Sequence, residues 1–278
     1  MDPLQMKAEL AEERDDFEGA LKSWKELAIR EREPLFFLRY GRSAQKLGCW
    51  QEAENALAQG LRLDPSSSLI MENIGSLWAN RLDKQQADSL ETAKEWFMRA
   101  LEIERNAPLL TQLGVVYERL SDEGSARGAF EEAVEVSPDY EEALYNLAVL
   151  EEAANPARSA QLLERAIQID PDYGVAHQVL GRLYQRQKDL PRAEYHFRRC
   201  LEIDPSDYWS NLYLANLLGS QGMNVEADHL YRFATNLHPE MVGGLEIFSR
   251  FLESIGKEAE AAEVRRQAKL QADRRGTT

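Results

Sequence analysis

Four histidines, two cysteines and several doubled glutamates are the side chains of this chain with the widest chemical reach. His177, His196, His229 and His238 could act as bases or metal ligands, yet no H-E-x-x-H segment sets two of them one helical turn apart beside a carboxylate. Neither a G-x-S-x-G elbow nor a phosphate-cradling glycine loop accompanies them. His177 occupies a core-type position and His196 adjoins Phe197, so a packing or surface role is expected of both. Cys49 and Cys200 stand far apart and outside any C-x-x-C pair, which argues against a disulfide framework and against zinc. Glu131–Glu132, Glu141–Glu142 and Glu151–Glu152 resemble acid/base pairs, but neighbours on a helix point in different directions, so these read as solvated faces. The chain is expected not to be an enzyme, with no catalytic residue, metal or cofactor.

What must position its side chains is a series of helices. Pro65, Pro138, Pro171, Pro205 and Pro239 recur at spacings of 73, 33, 34 and 34 residues. Counting back from each proline reaches small residues at fixed offsets. One set is Gly41, Gly75, Gly114, Ala148, Gly181, Ala215 and Ser249; the other is Ala20, Ala53, Ala93, Ala126, Ser159, Ala193, Ala227 and Ala261. Members of the second set precede, by four residues, Trp24, Leu57, Phe97, Phe130, Leu163, Phe197, Tyr231 and Arg265. Where two antiparallel helices cross closely, a small residue lets the backbones approach and the larger neighbour fills the flanking gap. Apolar residues at helical spacing, as in Leu110, Leu113, Val116, Tyr117 and Leu120, mark a first helix. A second helix, carrying Ala126, Phe130, Ala133 and Val134, stops before Pro138, because proline cannot continue it and restrains its predecessor.

A period near 34 makes repeat counting more informative than domain counting. The units fall at about 1–33, 34–67, 68–106, 107–139, 140–173, 174–207, 208–241 and 242–275, with a tail at 276–278. Two depart from the pattern. The unit 68–106 holds about five extra residues around Leu82 to Ser89, expected to project as a loop, and Arg105 replaces its proline. The unit 140–173 is expected to shorten its turn by about one residue, at Ala154 to Pro156. Polar variants at both ends read as caps, and the array as complete.

The unit 107–139 places Leu110, Leu113, Gly114, Tyr117, Ala126, Phe130, Ala133 and Pro138, and the unit 174–207 places His177, Leu180, Gly181, Tyr184, Ala193, Phe197, Cys200 and Pro205, at the signature positions of one helix-pair repeat. In this the chain resembles the tetratricopeptide-repeat family over essentially its whole length. The resemblance implies an all-α, right-handed superhelical solenoid whose concave groove is lined by the first helices. Groove positions then fall on Arg39, Arg42, Asn73, Gln112, Glu118, Glu142, Tyr145, Asn146, Arg182, Arg186, Trp209, Tyr213 and Asn216. Tyr, Trp, Asn and Arg combine contact area with hydrogen bonding, as a peptide-binding surface requires. Asn73 and Asn146 are candidate clamps for an extended backbone. Family members that bind chaperone tails use five Lys, Asn and Arg positions, of which only Asn73 is matched here, so a co-chaperone role is disfavoured.

Composition narrows the partners. The formal net charge is −15, and residues 107–139 and 140–173 each carry seven acidic and two basic side chains, together −10 of that total. Such a chain is poorly suited to nucleic acid, which needs clustered Lys and Arg; the acidic middle units read either as a solvated outer face or as a surface that draws a basic protein or peptide ligand. No apolar run reaches the roughly 20 residues of a membrane helix, and no export signal opens the sequence, so a cytoplasmic location is expected. The leading expectation is a non-enzymatic scaffold or adaptor binding a protein segment in its groove. The alternative is an assembly protein forming a homo-oligomer through its edges or convex face.

Overall fold

A computed structural model describes residues 2–81 and 86–275. The described residues form sixteen helices and no strand. They run as α1 (Pro3–Glu13), α2 (Phe17–Glu31), α3 (Pro34–Lys46), α4 (Trp50–Leu63), α5 (Ser68–Ala79), α6 (Gln86–Ile103), α7 (Ala107–Arg119) and α8 (Glu123–Val136). The series continues through α9 (Glu141–Glu151), α10 (Pro156–Ile169), α11 (Gly174–Arg186), α12 (Leu190–Ile203), α13 (Tyr208–Ser220), α14 (Asn224–Leu237), α15 (Val242–Ser254) and α16 (Glu258–Arg275). Odd-numbered helices are first members of pairs and even-numbered ones second members. The chain forms two compact halves, Met1–Asn146 and Leu147–Thr278. Within the N-terminal half α3 touches α5 and α5 touches α7; within the C-terminal half α11 touches α13 and α13 touches α15. First helices thus line up on a shared face in each half.

Local chemistry explains where helices begin and end. Side chains of Asp16, Asn106, Asp122, Asn155 and Asp189 each accept a hydrogen bond from an amide of the first turn that follows, satisfying a donor the helix leaves open. Second helices α4, α8, α10, α12 and α14 stop at Leu63, Val136, Ile169, Ile203 and Leu237, each two residues ahead of a proline. The intervening residue is pulled out of the helical region, as at Ser137 with φ −135° and ψ 92°. Between the helices of a pair, three-residue connections turn on a left-handed middle residue: Asp15, Gly48, Ser121, Lys188, Gly222 and Gly256. Glycine adopts that conformation freely, whereas Ser121 and Lys188 hold it at a cost of about 1 kcal/mol.

The small residues sit where helices cross. A Cβ added at Gly181 would lie 2.5 Å from the ring of Phe197, and one at Gly114 would collide with Phe130. Both phenylalanines are fully buried. The core is therefore a succession of small-on-bulky contacts, glycine on phenylalanine at Gly75, Gly114 and Gly181 and on Leu57 at Gly41, filled in by alanine, with Ala126 and Ala193 completely covered.

Two departures take a different form from that expected. Leu82–Gln85 lie outside the described residues, but from Gln86 the chain is helical, and α6 spans 18 residues against 14 in α4 and α8. Ser89 and Leu90 are buried, so this part of the insertion adds a helical turn rather than a projecting loop. In the pair α9–α10 the missing residue comes from the helix: α9 ends three residues after Ala148, where α7 runs five beyond Gly114, and the connection Glu152–Asn155 is longer than its counterparts. Asn155 caps α10 and Pro156 opens it, which fixes where α10 starts.

Candidate functional site

In the N-terminal half the face formed by α3, α5 and α7 is partly engaged in holding itself together. Arg39 donates from Nη1 to Glu12 Oε2 at 3.1 Å and lies over the Trp24 ring, whose Nε1 donates to the same carboxylate at 2.9 Å. Gln112 on α7 donates to Glu72 Oε1 at 2.7 Å and accepts from Ser76 Oγ at 2.7 Å, tying α7 to α5. Asn73 donates from Nδ2 to the Leu69 carbonyl at 2.7 Å, and Asn146 likewise to Glu142 O at 2.9 Å. Both expected backbone clamps have therefore folded their amide donors onto their own helices. Arg42 is exposed and has no carboxylate partner among the described residues. Glu142 is exposed and accepts from Tyr140 Oη at 2.5 Å, while Tyr145 is half-buried. Glu118 is half-buried with no ion-pair partner among the described residues, and burial, with help from Glu123, pushes its carboxyl above the usual range.

In the C-terminal half two of the expected arginines converge. Arg182 and Arg186 both donate to Glu152, at 2.5 and 2.6 Å, and the Glu152 side chain is only 14% exposed. Its neighbour Glu151 is buried and pairs with Arg158 at 3.2 Å. The reading of Glu151–Glu152 as a solvated face does not hold, because Glu151 at the end of α9 and Glu152 at the start of the longer connection both meet arginines. Glu152 was missed as a site residue; the shortened register around Ala148 was the only signal of it.

Trp209 and Tyr213, one turn apart on α13, stack with centroids 6.1 Å apart and planes 24° apart. Tyr213 stacks in turn on buried Phe197 at 5.6 Å, and the edge of Tyr208 meets Trp209 at 5.1 Å. Trp209 nevertheless remains 44% exposed. Asn216, one turn further along α13, lines a recess of about 460 Å³ shared with Arg250 and Ile247.

His177 and His196 take the packing role and also meet each other. Their Nδ1 atoms are 2.9 Å apart, and His177 Nε2 lies 3.2 Å from the Pro171 carbonyl. A carbonyl only accepts, so His177 carries its proton on Nε2 and His196 donates through Nδ1. Nothing in the sequence pairs two histidines 19 residues apart. Among the described residues no cluster of His, Cys, Asp and Glu is arranged to hold a metal ion, and no helix is long and apolar enough to cross a membrane.

Tandem antiparallel helix pairs, with varied polar and aromatic side chains on their first helices over a recurring core of small residues packed on bulky ones, define a helical-repeat scaffold for protein interaction. Two family models described as tetratricopeptide repeat match residues 111–174 and 175–207. PilF of Pseudomonas aeruginosa has a similar structure, with a TM-score of 0.68 and 16% identity over 81% of this chain and 99% of that one. So does a tetratricopeptide repeat protein of Parabacteroides merdae, at TM-score 0.63 and 18% identity over 90% and 97%. In sequence, 178 residues are 25% identical to the human protein O-mannosyl-transferase TMTC1; they make up 62% of this chain and 19% of that relative. Residues 111–207 thus carry tetratricopeptide repeats, and the neighbours in structure share the helical-repeat fold.

Proposed function

We propose that this protein is a non-enzymatic adaptor that binds a protein segment on the face of its first helices, with Trp209 and Tyr213 as the aromatic anchor. The observation that carries the proposal is the Trp209–Tyr213–Phe197 stack: it is rooted in the core at Phe197, yet leaves Trp209 44% exposed. An indole held in one orientation offers a large contact surface at little further entropic cost, which is why such residues dominate binding energies. A basic ligand fits the chemistry of the N-terminal half. Glu118 is a half-buried carboxyl with no ion-pair partner among the described residues, and a lysine or arginine placed beside it would supply one.

Partner capture by Trp209→Ala combined with Tyr145→Ala tests this reading. Recovery of partner should fall while far-UV circular dichroism and melting stay as in the parent protein. Full recovery by the double variant would remove the first-helix face from the binding mechanism.

A further inference from the structure

The N-terminal half carries a second recess, and none of the residues assigned above to the first-helix face lines it. It opens between α4, α5 and α6, holds about 590 Å³, and is lined by Leu61, Ile74, Trp78 and Trp96. Both indoles are half-buried and pack against the core on one side. Arg99 lies over the Trp96 ring at 4.2 Å, and Arg81 over Trp78 at 4.9 Å. A guanidinium on an indole face is oriented without being neutralised.

Charge sets this recess apart. Arg62 and Arg99 both line it, both are exposed, and neither pairs with a carboxylate among the described residues. Other arginines, such as Arg182 and Arg186 on Glu152 and Arg198 on Glu194 and Glu226, are matched, whereas Arg42 on α3 is not. The single carboxylate lining the recess is Glu54, so two guanidiniums against one carboxylate leave a local charge of +1 on a chain whose total is −15. An apolar hollow edged by two arginines that pair with no carboxylate among the described residues is complementary to a ligand that is apolar at its centre and anionic at its edges.

We propose that this recess is a second docking site, for a partner segment in which one bulky apolar side chain is flanked by carboxylates. The apolar side chain fills the space between Trp78 and Trp96, removing half-exposed indole surface from water. Flanking carboxylates receive bidentate hydrogen bonds from Arg62 and Arg99, whose planar donors suit that geometry. A nucleic acid or anionic membrane would bring many negative charges against the −15 of the whole chain. A short acidic segment brings only as many as the arginines can meet. The protein would then hold two segments of opposite character, a basic one on the first-helix face and an acidic one here.

The test uses the full chain and fluorescence anisotropy of a labelled short peptide with a central Leu-Trp flanked by aspartates. Two control peptides carry lysines in place of the aspartates, or alanines in place of Leu-Trp. Saturable binding of the acidic apolar peptide alone is expected, weakened about tenfold or more by Arg62→Glu with Arg99→Glu. Both arginines are exposed, so the double variant should fold; Trp209→Ala should leave this affinity unchanged and separates the recess from the first-helix face. The proposal is overturned by absence of saturable binding, by equal binding of either control peptide, or by equal affinity of the double variant. Sedimentation that shows a homodimer dissociated by the same charge reversal would assign the recess to a second copy of the chain instead.

Discussion

Acidification should loosen the pair α11–α12 before it affects the other helices, and the size of the effect follows from the buried histidines. His196 is 7% exposed, stacked on Tyr184 at 5.5 Å and met edge-on by Tyr195 at 5.1 Å. Burial first, then the neighbouring His177 and Arg192, lower its pKa from 6.5 to about 4. His177 is lowered as well, chiefly by burial and then by Arg199, against the opposing pull of the Pro171 carbonyl and Asp172. Glu164 on α10 is occupied by the Tyr184 hydroxyl at 2.6 Å. A depressed histidine pKa means that the unfolded chain binds more protons than the folded one between pH 6.5 and about 4. Stability is therefore fully present above pH 6.5 and is lost as pH falls toward 4. For His196 alone, moving from pH 7 to pH 5 removes at most about 2 kcal/mol.

Two measurements check this. Hydrogen exchange of α11 and α12 amides should accelerate by up to about 30-fold between those pH values after correction for intrinsic rates, the counterpart of about 2 kcal/mol. In His196→Gln, which cannot titrate here but can still donate to His177, the acceleration should be largely abolished. The His196 Cε1–H resonance in the parent protein should stay at its neutral position down to pH 5. A midpoint near 6.5 for that resonance, or equal pH sensitivity in the variant, would refute the assigned burial and tautomer.

Two further outcomes follow from named contacts. Gly181→Ala puts a methyl group 2.5 Å from Phe197 and should destabilise the protein by about 1 to 3 kcal/mol in urea titration; Phe197→Leu in the same chain should recover part of the loss, and an unchanged midpoint would show that the crossing is looser than described. Stopped-flow association of a basic peptide should slow as salt rises from low to physiological levels, because residues 107–173 carry a net −10; a constant rate would assign those carboxylates to solvation.

The fold was legible because its determinants are local or strictly periodic. Proline two residues past Val136 and Ile203, and glycine opposite Phe130 and Phe197, each act through one steric rule at a fixed spacing. Steric rules also permit exceptions that no spacing reveals. Ser121 and Lys188 adopt the left-handed turn that Gly48 and Gly222 take freely, since the packed helices on either side offset a cost of about 1 kcal/mol. Binding residues obey neither kind of rule. Register places Asn73, Asn146, Arg39 and Arg182 on first helices, but their availability depends on what else lies within reach, and nearby carbonyls or the carboxylates of Glu12 and Glu152 engage all four. Trp209 differs because it stays 44% exposed even with Tyr208 and Tyr213 against it. A polar residue on a repeat face is thus a candidate until its partners are known, whereas an exposed aromatic rooted in the core has few ways of being satisfied without a ligand. That asymmetry is why Trp209, and not the asparagines, carries the functional reading.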